Sequence, residues 1–66
     1  MTTLKDIWQH KGLTAEELAV QADVSSKTVY RINKKEHVSP RSLRRVLKIL
    51  DISIDDYRNL SKEGEP

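Results

Sequence analysis

A chain of 66 residues without cysteine is one domain at most, with neither disulfides nor thiolate metal sites to staple it. At this length folding buries only about 60% of the unfolded surface, so stability has to come from tight helix packing or a partner subunit. His10 and His37 have no further ligands in metal-binding spacing, no apolar run of about 18 residues occurs, and the first residues lack the apolar core of a signal peptide; the expectation is a cytoplasmic chain with no metal, cofactor or membrane span.

No strand-like alternation of β-branched residues persists anywhere. Helix starts recur instead, and they predict an all-α fold of five short helices over residues 1–60. Thr3 with Asp6 three residues on is a variant capping box, and Leu4, Ile7 and Trp8 form one face until Gly12 stops the helix. Thr14 with Glu17 is a full capping box, opening a helix through Ala22 with Leu18, Ala19 and Ala22 inward. Ser25 caps a third helix carrying Val29 and Ile32. Ser39-Pro40 places a cap before a proline at the first helical position, and Leu43, Val46, Leu47 and Leu50 repeat behind it at helical spacing. Ser53 with Asp56 starts a short last helix with Ile54, Tyr57 and Leu60. Residues 61–66 are polar and are expected to fray.

The net charge of +2 conceals its arrangement. Residues 1–23 carry Lys5 and Lys11 against Asp6, Glu16, Glu17 and Asp23, a net of −2. Residues 24–50 carry Lys27, Arg31, Lys34, Lys35, Arg41, Arg44, Arg45 and Lys48 against Glu36 alone, a net of +7, and residues 51–66 return to −3. A basic block between acidic flanks is the footprint that nucleic acid requires, and equally what a solvated basic surface would give.

Residues 15–34, AEELAVQADVSSKTVYRINK, pair two helices through a turn at Asp23-Val24-Ser25. Leu18, Ala22, Val24, Val29 and Ile32 can face inward together, and Ala19 is small where the helices cross. The outer face of the second helix of such a pair projects away from the core. With LKDIWQHKGLTAEELAVQADVSSKTVYRI and VLKILDISIDDY around it, the chain resembles the lambda-repressor-like, Cro-like helix-turn-helix family over about residues 4–60. The stretch VSSKTVYRINKKEHVSPRSLRRVL is also similar to the headpiece of Lac-repressor-type regulators, although here a helix precedes the motif. The resemblance implies sequence-specific binding of a double-stranded DNA operator by a helix at about residues 25–33. The chain departs from the family pattern in three places. The turn holds Asp23 where glycine with positive φ is usual, and aspartate tolerates that conformation. Ala15 stands where a phosphate-touching glutamine is usual, which passes that contact to Thr14 or to backbone amides. Trp8 and Asn33 stand where the first and third helices often share a buried ion pair, replacing both charges together.

On the third helix Ser26, Lys27, Tyr30 and Arg31 lie outside the face set by Val29 and Ile32. Lys27 and Arg31, one turn apart, can both bond guanine O6 and N7, so these four are the candidate base readers. Tyr30 can instead lie partly on the core or bond a phosphate. Thr28 can face the groove or its own helix's carbonyls. Lys34, Lys35 and His37, in the loop that the family runs along the phosphates, join Thr14, Thr28, Arg41 and Ser42 as candidate backbone contacts; the last two sit at a helix start, where free amides favour an anion. Arg44, Arg45 and Lys48 either extend that set or are merely solvated.

One recognition helix reads too few base pairs to single out a site. A homodimer, at least on DNA, is therefore expected, with a near-palindromic operator whose half-sites lie about 34 Å apart. Its contact is expected at Ile52, Ile54, Tyr57, Arg58 and Leu60, with Arg58 reaching Asp55 or Asp56 of the other copy; the competing reading has these side chains cap their own core. The function expected is that of a transcriptional regulator, a repressor of phage, plasmid or mobile-element type beside the bacterial or phage nucleoid. The alternative is an antitoxin with a toxin partner, or a protein–protein adaptor on the same fold. An enzyme is not expected: no nucleophile–base set, glycine-rich phosphate loop or metal cluster is present, and Asp55 and Asp56 suit the first turn of a helix.

Overall fold

The computed structural model describes residues 2–61, which form α1 (Leu4–His10), α2 (Ala15–Ala22), α3 (Ser26–Asn33), α4 (Pro40–Leu50) and α5 (Ile54–Arg58). Every helix begins at the cap its sequence announces. Thr3, Thr14 and Ser53 close complete capping boxes with Asp6, Glu17 and Asp56. Ser25 and Ser39 accept the amides of Thr28 and Ser42. Each cap satisfies a donor that the first helical turn leaves without a partner, worth about 1 kcal/mol.

Helices α1 to α4 end on one device, which a glycine announces only once. Gly12, Asp23, Lys35 and Asp51 all take the left-handed conformation, with φ of 77°, 57°, 58° and 57°. In each case the next residue's amide donates to the carbonyl five residues back: Leu13 to Trp8, Val24 to Ala19, Glu36 to Arg31 and Ile52 to Leu47, at 2.8–3.1 Å. These are Schellman-type stops, which satisfy orphan carbonyls and turn the chain sharply into the next cap. Asp23 takes the conformation expected of it; Lys35 and Asp51 do so without any glycine to announce it.

The core is a single cluster in which Leu4 and Trp8 of α1, Leu18, Ala19 and Ala22 of α2, Val29 and Ile32 of α3, and Val46, Leu47 and Leu50 of α4 are buried. Ala15 is buried too, and Leu13, Val38 and Ile49 pack against the cluster from partly buried positions. The exception to the expected inward set is Ile54, which is 42% exposed. The reason is where α5 is anchored. Tyr57 Oη donates to Ile32 O at 2.9 Å, and Lys35 Nζ donates to Arg58 O at 2.9 Å, so the far end of α5 is held to the end of α3 while its first turn stands away.

Ser61 corrects the expectation of a tail fraying from that residue. Its amide donates to Thr2 O at 2.8 Å, and it forms an isolated parallel bridge with Thr3, the only strand-like pairing among the described residues. The rest of the expected tail, residues 62–66, lies outside the described residues. No helix of the described chain is long and apolar enough to cross a membrane.

Candidate nucleic-acid interface

The α2–α3 pair is held from three sides. Ala19 and Ala22 are buried at the helix crossing, where a larger side chain would force the helices apart. The turn between them is tied to α4, since Arg45 Nη1 lies 3.5 Å from both Asp23 Oδ2 and Asp23 O. Arg45, for which the sequence leaves DNA or solvent, thus has a place inside the chain, though as an exposed pair it contributes little. Asn33, buried at the end of α3, accepts the Lys5 amide on Oδ1 at 3.0 Å and so caps α1 from a distance. No buried side-chain nitrogen or oxygen among the described residues lacks a hydrogen-bond partner.

This scaffold fixes the two faces of α3. Val29, Ile32 and Asn33 point inward, while Lys27, Tyr30 and Arg31 are exposed and Ser26 is half-buried. Tyr30 is 43% exposed, and its ring stands edge-on to buried Trp8 with centroids 6.4 Å apart and planes at 77°. Core contact and outward reach therefore coexist in one side chain. At the α1–α3 junction this ring contact stands beside the Asn33–Lys5 bond.

The candidate backbone contacts divide. Lys34, His37 and Arg41 are exposed. Thr14 is exposed as well; its Oγ1 already accepts the Glu17 amide at 3.1 Å, which leaves its hydroxyl proton to donate. Thr28 Oγ1 lies 2.9 Å from Ser25 Oγ, so its hydroxyl takes part in the cap of its own helix. Ser42 corrects the expectation of a free amide at the start of α4: Ser39 Oγ accepts that amide at 3.3 Å, and the two hydroxyls are bonded at 2.9 Å. Lys35, a candidate phosphate contact, bonds within its own chain. Its left-handed backbone turns it toward α5, where Nζ bonds Arg58 O and lies 5.2 Å from the Tyr57 ring centroid. Only the positive φ distinguishes Lys35 from Lys34, and nothing in a Lys-Lys sequence announces it.

The five candidate dimer residues also separate. Ile52, Tyr57 and Leu60 pack from partly buried positions against the chain's own core, as the competing reading had it. Burial raises the Tyr57 phenol above its ordinary 10.0. Ile54 and Arg58 remain exposed, and Arg58 Nη1 lies 4.0 Å from Asp55 of its own chain. At the start of α1 Asp6 is held below its ordinary 3.8, mainly because its carboxylate accepts the Thr3 amide. No group of three or more His, Cys, Asp or Glu side chains among the described residues can hold a metal ion.

Comparison with known proteins bears on this geometry directly. Residues 3–61 match the family model described as a Cro/C1-type HTH DNA-binding domain, which spans all five helices and the Ser61 pairing. Searches of curated proteins and of solved structures returned no match.

Proposed function

The chain belongs to the Cro/C1-type helix-turn-helix DNA-binding family, and from that premise we propose that α3 enters the major groove and reads sequence there, making the chain a transcriptional repressor of phage, plasmid or mobile-element type. The observation that carries the reading is the outer face of α3. Lys27, Tyr30 and Arg31 are exposed on a helix whose opposite face is locked into the core. Lys27 and Arg31 bond guanine edges, arginine with the two-pronged geometry that lysine lacks. Tyr30, braced by Trp8, and Ser26 contact the neighbouring bases. Lys34, His37, Arg41 and the Thr14 hydroxyl hold the phosphates, fixing register without reading sequence. Such a role places the chain in the cytoplasm with the nucleoid. It also needs more than one copy per operator, because one helix reads only a few base pairs. A two-fold pair across α5 gives a near-palindromic operator, and Ile54 and Arg58 are the exposed side chains left to build it.

Selection of bound duplexes from a random pool tests the reading: a single enriched motif is expected. Arg31→Ala should then relax the preference at one base pair, losing about 1–3 kcal/mol there. Recovery of unenriched sequence, or equal weakening by Arg31→Ala on every duplex, overturns sequence reading by this face.

A further inference from the structure

The far end of α5 is clamped to the end of α3 by interlocking contacts. Ile32 O accepts twice, from Tyr57 Oη at 2.9 Å and from the Lys35 amide at 3.0 Å. Lys35 Nζ reaches back across the gap, donating to Arg58 O at 2.9 Å and lying 5.2 Å from the Tyr57 ring centroid. Little else fixes the direction of α5. It is five residues long and has no fully buried residue, and a groove of about 510 Å³ runs between it and α4. Ile52 and Leu60 pack on the core at its two flanks and set where the segment begins and ends. Its angle to α3 is left to the clamp.

The clamp joins two surfaces with different tasks in the proposed function. On one side is the reading helix, followed by Lys34 and His37, which flank Lys35 and hold phosphates. On the other is α5, whose exposed Ile54 and Arg58 build the two-fold pair. In such a pair the angle between α5 and α3 decides where the second reading helix lands on the duplex. One base pair added between half-sites moves that landing point by about 3.4 Å and turns it by about 35°. A loosely hung α5 absorbs such a change, and a clamped one resists it. Given the two-fold pair across α5, on which this reading rests, we propose that Tyr57 and Lys35 are positioning residues that set the half-site spacing of the operator, by holding the pairing helix at one angle to the reading helix. Each of the two side-chain bonds is worth about two- to tenfold in the population of clamped helix.

The test first selects duplexes with the wild-type chain. Three probes are then built from the selected motif: the whole operator, the same operator with one base pair inserted at its centre, and a single half-site. The wild type should bind the inserted duplex at least about tenfold more weakly than the operator. Tyr57→Phe keeps the ring and Lys35→Met keeps the stem, so both remove a donor and little else. Together they should shrink that ratio to about threefold or less, and each alone should give an intermediate value. Half-site binding should stay within about threefold of the wild type, because the reading face is untouched. Circular dichroism checks the folding of every variant.

Two controls separate positioning from other roles. Gln21→Gly, at an exposed position of α2, lowers stability through backbone freedom alone and should keep the wild-type spacing ratio. Lys35→Met should leave the salt dependence of half-site binding unchanged, since a positioning residue neutralises no phosphate; a slope lower by about 0.9 makes Lys35 a phosphate contact instead. Clamp variants that keep the wild-type ratio, a Gln21→Gly chain that loses it, or that lower slope for Lys35→Met overturns the proposal. A wild-type motif without two-fold symmetry removes the pair and the proposal with it. That failure shows before any variant is bound, so it is distinct from a failure of the clamp.

Discussion

Trp8 shows how much of a small domain can rest on one side chain. It is 2% exposed, closes the core between α1 and α3, and braces Tyr30 from behind. Trp8→Ala should cost about 3–5 kcal/mol. A chain of this size holds only on the order of 3–10 kcal/mol in total, so the variant is expected to be largely unfolded at 37 °C by circular dichroism. The wild-type tryptophan should emit at the short wavelengths of an apolar site. Tyr57 poses a different problem. Its phenol donates to Ile32 O, and burial raises its pKa above 10.0. A raised pKa in the folded state means that the unfolded chain loses this proton first. Tyr57 therefore contributes its full stability below about pH 10 and loses part of it as pH climbs toward the folded value. Thermal melts across about pH 9–11 should fall less steeply for Tyr57→Phe than for the wild type. At neutral pH the same variant should lose about 0.5–1.5 kcal/mol with its hydrogen bond. Asp6 works in the opposite direction: its pKa is lowered, so its contribution is present above its ordinary 3.8 and disappears as pH falls through the folded value.

At the scale of the helix, beginnings were legible and endings were not. The five caps are side chains whose chemistry names their task, and all five do it. The stops are backbone conformations, and only glycine advertises them. Gly12 was readable, and Asp23 was readable because the family resemblance marks that position. Lys35 and Asp51 carry no such mark. The candidate site divides along the same line. Exposure of Lys27 and Arg31 follows from helical periodicity, which a sequence displays. The diversion of Lys35 to α5 follows from one torsion angle, and the occupation of the Thr28 and Ser42 hydroxyls follows from local bonds that compete with any ligand. Asp51 offers a direct test of the hidden stops. It places an L-residue in left-handed backbone and a negative charge at the C-terminus of α4, where the helix dipole disfavours it. Asp51→Gly should stabilise the fold by about 0.5–1 kcal/mol and raise the melting temperature by roughly 2–8 °C, whereas Asp51→Ala should lower it. Calorimetry of both variants separates the conformational effect from the charge, since each removes the carboxylate.

Across the whole molecule the strength of attachment is uneven. Helices α1 to α4 each bury residues in the common core, whereas α5 buries none fully and depends on Tyr57, Lys35 and the flanking Ile52 and Leu60. Few buried apolar contacts mean a low free energy of local opening. Amide hydrogen exchange should therefore be at least roughly tenfold faster in α5 than in the buried turns of α3 and α4, and Tyr57→Phe should widen that gap. The pairing of Ser61 with Thr2 and Thr3 has a consequence of another kind. It brings the entry and the exit of the fold to one point, like the two ends of a thread knotted at a bead. A host loop could accept this bead without being prised apart, and a few linking residues would suffice to close it into a ring. Cut open again in the connection between α1 and α2, the ring would be a permuted chain with the same five helices in a new order.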